Sequence, residues 1–148
     1  FIGGDGQLSS IDNLSQTINA GFRYSIPTLG VCAVGKDMER TPRFFKLATR
    51  IIAEMGCQMV KTYDCDDFEE VVAACPVPIV VAGGKKLPEK DALHLAYDVI
   101  RKGAHGVDMG RNIFQSTHPI EMAQCVNKIV HEGMTDVEAW EMFQDIAK

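Results

Sequence analysis

The run Cys57-Gln58-Met59-Val60-Lys61-Thr62-Tyr63 reads as a buried strand that carries a lysine at its C-terminal tip. An amine in that position is either an ion-pair partner, with Asp64, Asp66 or Asp108 as counter-ions, or a nucleophile. To attack a ketone it must be neutral, which requires burial and nearby cations to pull it down from its usual value of about 10.4. Lys85, Lys86 and Arg111 are the cations on offer.

Two glycine-rich strand ends follow, Val80-Val81-Ala82-Gly83-Gly84 and Gly106-Val107-Asp108-Met109-Gly110-Arg111. Bare glycine backbone lets N–H groups approach an anion closely, and Arg111 adds a charge-assisted donor, so Gly83, Gly84, Gly110 and Arg111 form a candidate phosphate site. The competing expectation is that these glycines only make tight turns. The order of lysine and glycine ends is the one a Schiff-base enzyme for phosphorylated ketones needs. Asp108 is either an inward-facing polar group of that site or an ion-pair partner. Gly83-Gly84-Lys85-Lys86 lacks the span of a P-loop, and Gly3-Gly4-Asp5-Gly6 lacks the dinucleotide fingerprint. The acidic run from Asp64 to Glu70 reads as a solvated helix start.

These residues must be held by strand–helix units. A glycine-bounded apolar run, Ser25 to Val34 within Gly21–Gly35, predicts one strand; others are expected near 58–63, 77–83 and 105–110. Thr41 and Pro42 open a helix that Gly56 ends, and Pro88 opens another that Gly103 closes. Helices are also expected over 10–20, 67–75, 119–132 and 136–147, the last with the capping box Thr135-Asp136-Val137-Glu138. Strand–helix repeats of this length give an α/β fold with a parallel sheet, doubly wound or closed as a (β/α)8 barrel. Four strands are half of a barrel, whose usual length is about 250 residues. The chain opens at Phe1 rather than Met. A single barrel domain lacking its N-terminal half is the expectation.

Composition bounds the rest. The chain has 148 residues, 46% hydrophobic and 24% charged, which is ordinary for a globular domain. A net charge of -5 with scattered basic residues argues against nucleic acid or an anionic membrane as partner. No apolar stretch reaches the ~18 residues of a membrane span and no basic-then-apolar leader is seen, so a cytoplasmic protein is expected. The five cysteines lack a Cys-x-x-Cys pair and the four histidines lack ligand spacing, so reduced thiols and no metal are expected.

From Gly35-Lys36-Asp37-Met38 onward the chain resembles the class I aldolases of the archaeal-type fructose-bisphosphate aldolase family. The resemblance lies in residues 45–56, Val60-Lys61-Thr62-Tyr63, the stretch Cys75 to Pro88 and the stretch Gly106 to Ser116. It implies strands five to eight of a (β/α)8 barrel, with Phe1-Ile2-Gly3 the tail of strand four. It makes Lys61 the Schiff-base lysine of strand six, and Gly83, Gly84, Gly110 and Arg111 the phosphate binders of strands seven and eight. Within the family the chain looks most like a thiolase branch, which moves an acetyl group from a phosphorylated dione to coenzyme A and leaves dihydroxyacetone phosphate. Coenzyme A would then be a co-substrate, with no other cofactor. Ring-shaped homo-oligomers, commonly decamers, are implied as well. Two departures matter. Cys32 stands where the aldolases carry a strand-five tyrosine, a lining position that the thiolase branch also lacks as tyrosine, which puts ordinary aldol cleavage in doubt. The strand-one aspartate has no counterpart, so the fragment alone should not turn over. Rival readings are a sugar-phosphate aldolase and a non-catalytic phosphate-binding barrel.

Overall fold

The computed structural model describes residues 2–34 and 39–147. The Gly35–Met38 stretch that opens the resemblance, and Phe1, the first residue of the expected strand-four tail, lie outside the described residues; Ile2 and Gly3 are not in a strand. The elements run α1 (Gln7–Arg23), β1 (Leu29–Val31), α2 (Pro42–Glu54), β2 (Met59–Thr62), α3 (Phe68–Ala74), β3 (Ile79–Ala82), α4 (Glu89–Arg101), β4 (Gly106–Asp108), α5 (Gly110–Phe114), α6 (Pro119–Glu132) and α7 (Asp136–Ile146). The four strands form one parallel sheet in the order β1-β2-β3-β4. This is the α/β arrangement of half a (β/α)8 barrel. The chain divides into two compact units inside β3, between Val80 and Val81.

In the first unit β1 and β2 pair in parallel, Leu29 opposite Met59, Gly30 opposite Val60 and Val31 opposite Lys61. Residues that oppose one another share a face, and faces alternate along a strand. Gly30 faces α2 so closely that a Cβ there would meet Ile52 Cγ2 at 2.1 Å and Cys57 Sγ at 2.9 Å. Val60 and Thr62 are fully buried on that same side, in a core with Phe45, Ala48, Phe68 and Val71. The other face is uncovered in the described chain: Leu29 is 41%, Val31 54% and Met59 38% exposed. Lys61 belongs to that face.

Local signals set the helix ends. The Thr41 hydroxyl accepts the Phe44 N–H at 3.3 Å with Pro42 in the first turn, and Gly56 follows the helix at φ +110°. The expected ten-residue first strand is cut to three. Ser25 has φ +54°, which no strand residue adopts, and Pro27 has no N–H to donate. The Gln58 side chain instead accepts the Thr28 N–H at 2.7 Å and the Thr28 hydroxyl at 2.9 Å.

The second unit packs α4, α6 and α7 around Leu93, Ala96, Met109, Met122, Cys125, Ile129 and Phe143. The capping box at Thr135 and Glu138 is formed in both directions. The expected strand over 105–110 ends at Asp108, and the short helix α5 follows at once, so Gly110 and Arg111 are its first residues.

Candidate active site

Lys61 stands third of four residues in β2, at the strand's C-terminal end, and is half-buried. Register and alternation put it on the face opposite the helices, beside Val31. Cys32, expected to line the same site, continues the ladder by donating its N–H to the Lys61 carbonyl at 2.8 Å. Its side chain, 2% exposed, lies against Thr62 on the helix-facing side instead. Cys32 is one of the residues that line a cavity of about 330 Å³, with Thr17, Val31 and Ile52 among the others. Burial pushes the thiol up to about 11, and the Thr62 hydroxyl pulls it back only in part. At neutral pH Cys32 is thus a protonated, poorly nucleophilic thiol. The fully buried Thr62 hydroxyl has no hydrogen-bond partner of good geometry among the described residues, and a thiol is at best a weak one. Nearby, the Arg40 guanidinium stacks over the Tyr63 ring at 4.1 Å.

The second unit brings the glycine ends together. Gly83 donates its N–H to the Asp108 carbonyl at 3.2 Å, which extends the ladder one residue past the end of β3, opposite the last residue of β4. A Cβ at Gly83 would meet Met109 Cγ at 2.8 Å and Asn112 Nδ2 at 2.9 Å. The glycine is therefore required for packing. Gly84 is different: it adopts φ +65° with nothing within 4 Å of a would-be Cβ, so its conformation alone selects glycine. At Gly110 a Cβ would make only an ordinary 3.5 Å contact with Phe114.

Arg111, exposed, donates from NH2 to the Gly84 carbonyl at 2.6 Å. Its remaining donors are the ones suited to an anion. Lys86, one of the cations weighed as a neighbour for the Lys61 amine, is engaged locally: its Nζ donates to the Leu87 carbonyl at 2.7 Å and to Glu89 at 3.1 Å. Glu89 also accepts from Ser116 at 3.1 Å and from the Thr117 N–H at 3.3 Å. Burial pushes the Glu89 carboxyl up, but the helix N–H, Lys86, Thr117 and Ser116 together outweigh it and hold the group below the usual carboxylate value. Asp108 is exposed on the ladder's end.

Asn112 is the residue the sequence did not single out for a role. It is 1% exposed and grips both ends of the turn after β3. A buried amide directly after Gly-Arg at a strand end is a signal, but its partners lie 25 and 29 positions away. All five cysteines are free thiols, and no three His, Cys, Asp or Glu side chains among the described residues are grouped to hold a metal ion. No helix among the described residues is long and apolar enough to cross a membrane.

A profile of the DeoC/LacD family of aldolases matches residues 20–116. The chain is 54% identical over 146 residues to the 3-hydroxy-5-phosphonooxypentane-2,4-dione thiolase of Enterobacter sp. (strain 638), covering 98% of this chain and 50% of that protein. The protein of the same name from Yersinia enterocolitica is 54% identical over 144 residues, covering 97% and 50%. Among solved structures, an archaeal fructose 1,6-bisphosphate aldolase superposes with a TM-score of 0.80 at 25% identity, over 88% of this chain and 55% of that one. A fructose-bisphosphate aldolase from Slackia heliotrinireducens gives 0.82 at 22% identity over 98% and 51%, a likeness of fold alone. The chain spans about half the length of the relatives it matches.

Proposed function

This chain belongs to the DeoC/LacD aldolase family, and we propose that the protein it forms is a Schiff-base enzyme that transfers an acetyl group from a phosphorylated dione to coenzyme A, leaving dihydroxyacetone phosphate. The observation that carries the reading is Lys61 at the C-terminal end of β2 on the helix-free face, the position from which barrel enzymes act. The 54% identity to proteins named as the thiolase supports the choice of reaction.

In this reading the neutral Lys61 amine adds to the substrate ketone, water leaves, and the protonated imine takes up the electron pair released when the neighbouring C–C bond breaks. The coenzyme A thiol drives that break: it adds to the acetyl carbonyl and gives up its proton, and the adduct collapses to the acetyl thioester. The enamine left on Lys61 is protonated and hydrolysed by water, which releases dihydroxyacetone phosphate and the free amine. Gly83, Gly84, Gly110 and Arg111 bind the phosphate, remote binding energy that fixes the carbonyl over the amine. Asp108 and Cys32 are lesser candidates. The Cys32 thiol is too basic to act as a nucleophile and is turned toward Thr62, so its proposed role is restricted to shaping the strand end. No metal or resident cofactor enters these steps. A cytoplasmic homo-oligomer, the decameric ring that the family resemblance implies, completes the proposal.

The likeness to fructose-bisphosphate aldolases favours one rival, cleavage of a sugar phosphate without an acceptor. Incubating the full-length protein with the phosphorylated dione, with and without coenzyme A, separates them. Dihydroxyacetone phosphate formed only with coenzyme A supports the thiolase. Cleavage without it identifies an aldolase, and phosphate binding with neither reaction identifies a non-catalytic barrel.

A further inference from the structure

We propose that Asn112 is the positioning residue of the phosphate-binding turn, the group that orients the amides of Gly84 and Lys85 toward the anion. The inference rests on the phosphate site of the preceding reading and adds to it the device that builds it.

The turn runs from Gly83 to Leu87, and Asn112 joins its two ends. Its Nδ2 donates to the Gly83 carbonyl at 2.8 Å and its Oδ1 accepts the Leu87 N–H at 2.8 Å. The adjoining Arg111 holds the next carbonyl, that of Gly84, at 2.6 Å. In a planar trans peptide the C=O and the following N–H point in opposite directions. Two consecutive carbonyls pinned toward α5 therefore turn the N–H groups of Gly84 and Lys85 away from it, to the same side. Neither N–H has a hydrogen-bond partner among the described residues. Gly84 reaches this geometry at φ +65°, and successive N–H groups turned out of such a bend make an anion-binding concavity.

Asn112 cannot itself touch the anion, because it is 1% exposed and both ends of its amide are occupied. It acts through the turn. A second clamp backs it: Glu89 ties Lys86, on the same turn, to Ser116 and Thr117 beyond α5. Asparagine suits the position because one planar group must donate at one end and accept at the other. Aspartate keeps the shape and the acceptor for Leu87 but sets a carboxylate oxygen against the Gly83 carbonyl.

The test is inorganic phosphate binding to the full-length protein, by calorimetry, in wild type, Asn112→Asp, Asn112→Ala and Arg111→Ala, with thermal unfolding of each. Loss of one oriented donor pair predicts about tenfold weaker phosphate binding in both Asn112 variants. The same variants should raise KM for the phosphorylated substrate and leave kcat within about twofold. Should Asn112→Ala fail to fold, the isosteric Asn112→Asp decides. Unchanged phosphate affinity in a folded Asn112 variant, or a fall in kcat with KM unmoved, overturns the inference. If Arg111→Ala weakens phosphate while Asn112→Asp does not, only the role of Asn112 falls. A wild-type protein that does not bind phosphate overturns the site and the inference together.

Discussion

Lys61 and Val31 face one another across the β1–β2 ladder and project from the same side of the sheet, where Leu29, Val31 and Met59 are left exposed among the described residues. The β1 neighbour of the proposed nucleophile is thus an apolar side chain that can be changed without disturbing the helix-packed core. A carboxylate at that place would hold the amine in its charged, non-nucleophilic form. Val31→Asp should slow imine formation at neutral pH about tenfold, with a small loss of stability because Val31 is 54% exposed. Borohydride trapping rates measured across pH check this. A variant with wild-type rates would mean that the reacting amine is not next to residue 31.

Gly30 occupies the opposite side of the same strand, against α2. A methyl group there would lie 2.1 Å from Ile52 Cγ2, so Gly30→Ala must push the helix off the sheet. Overpacking of this kind costs about 1–3 kcal/mol. Urea unfolding of Gly30→Ala should show a lowered midpoint with an unchanged slope; a stability equal to wild type would mean that α2 is not docked as described.

The glycines of the second unit should separate by mechanism. Gly84→Ala meets no atoms within 4 Å but must hold a non-glycine residue at φ +65°, costing about 1 kcal/mol and tilting the turn. Gly110→Ala has room, so its unfolding temperature should stay near wild type. Any rise in its KM for phosphorylated substrate would then report crowding at the anion. Equal effects on a dephosphorylated analogue would show that Gly110 has no part in phosphate binding.

Glu89 makes the second unit sensitive to acid. Its carboxyl lies lower in the folded chain than in the unfolded one, so it stabilises the fold above its unfolded value, and that contribution is lost as pH falls through the folded value. Replacing it with Gln removes the linkage and leaves Lys86 without its counter-ion. Thermal unfolding of Glu89→Gln should show less loss of stability on acidification than wild type. Parallel curves for the two proteins would mean that other carboxylates carry the acid response.

Much of the fold was legible because its signals are local. Thr41 with Pro42, Thr135 with Glu138, and Gly56 and Gly103 mark helix ends through bonds and backbone angles within a few residues of each other. Lys61 was legible as a strand end for the same reason. What failed to read depends on partners far along the chain. The first strand shortened because Gln58 claims Thr28, 30 positions away. The side to which Cys32 turns follows from register with β2, which no pattern in its own segment encodes. Helix α5 has five residues, too few to show a period, and begins on a glycine. Asn112 escaped notice because an asparagine that follows a glycine turn looks like a surface residue until its burial is known.

The most direct measurement is peptide mapping of the full-length protein after borohydride reduction in the presence of a phosphorylated ketone. A Schiff base on β2 predicts one stable adduct, located on Lys61, and none in Lys61→Ala, which should still fold because the side chain is half-buried on an uncovered face. An adduct on another lysine, or trapping that persists in Lys61→Ala, would contradict the assignment of Lys61 as the nucleophile.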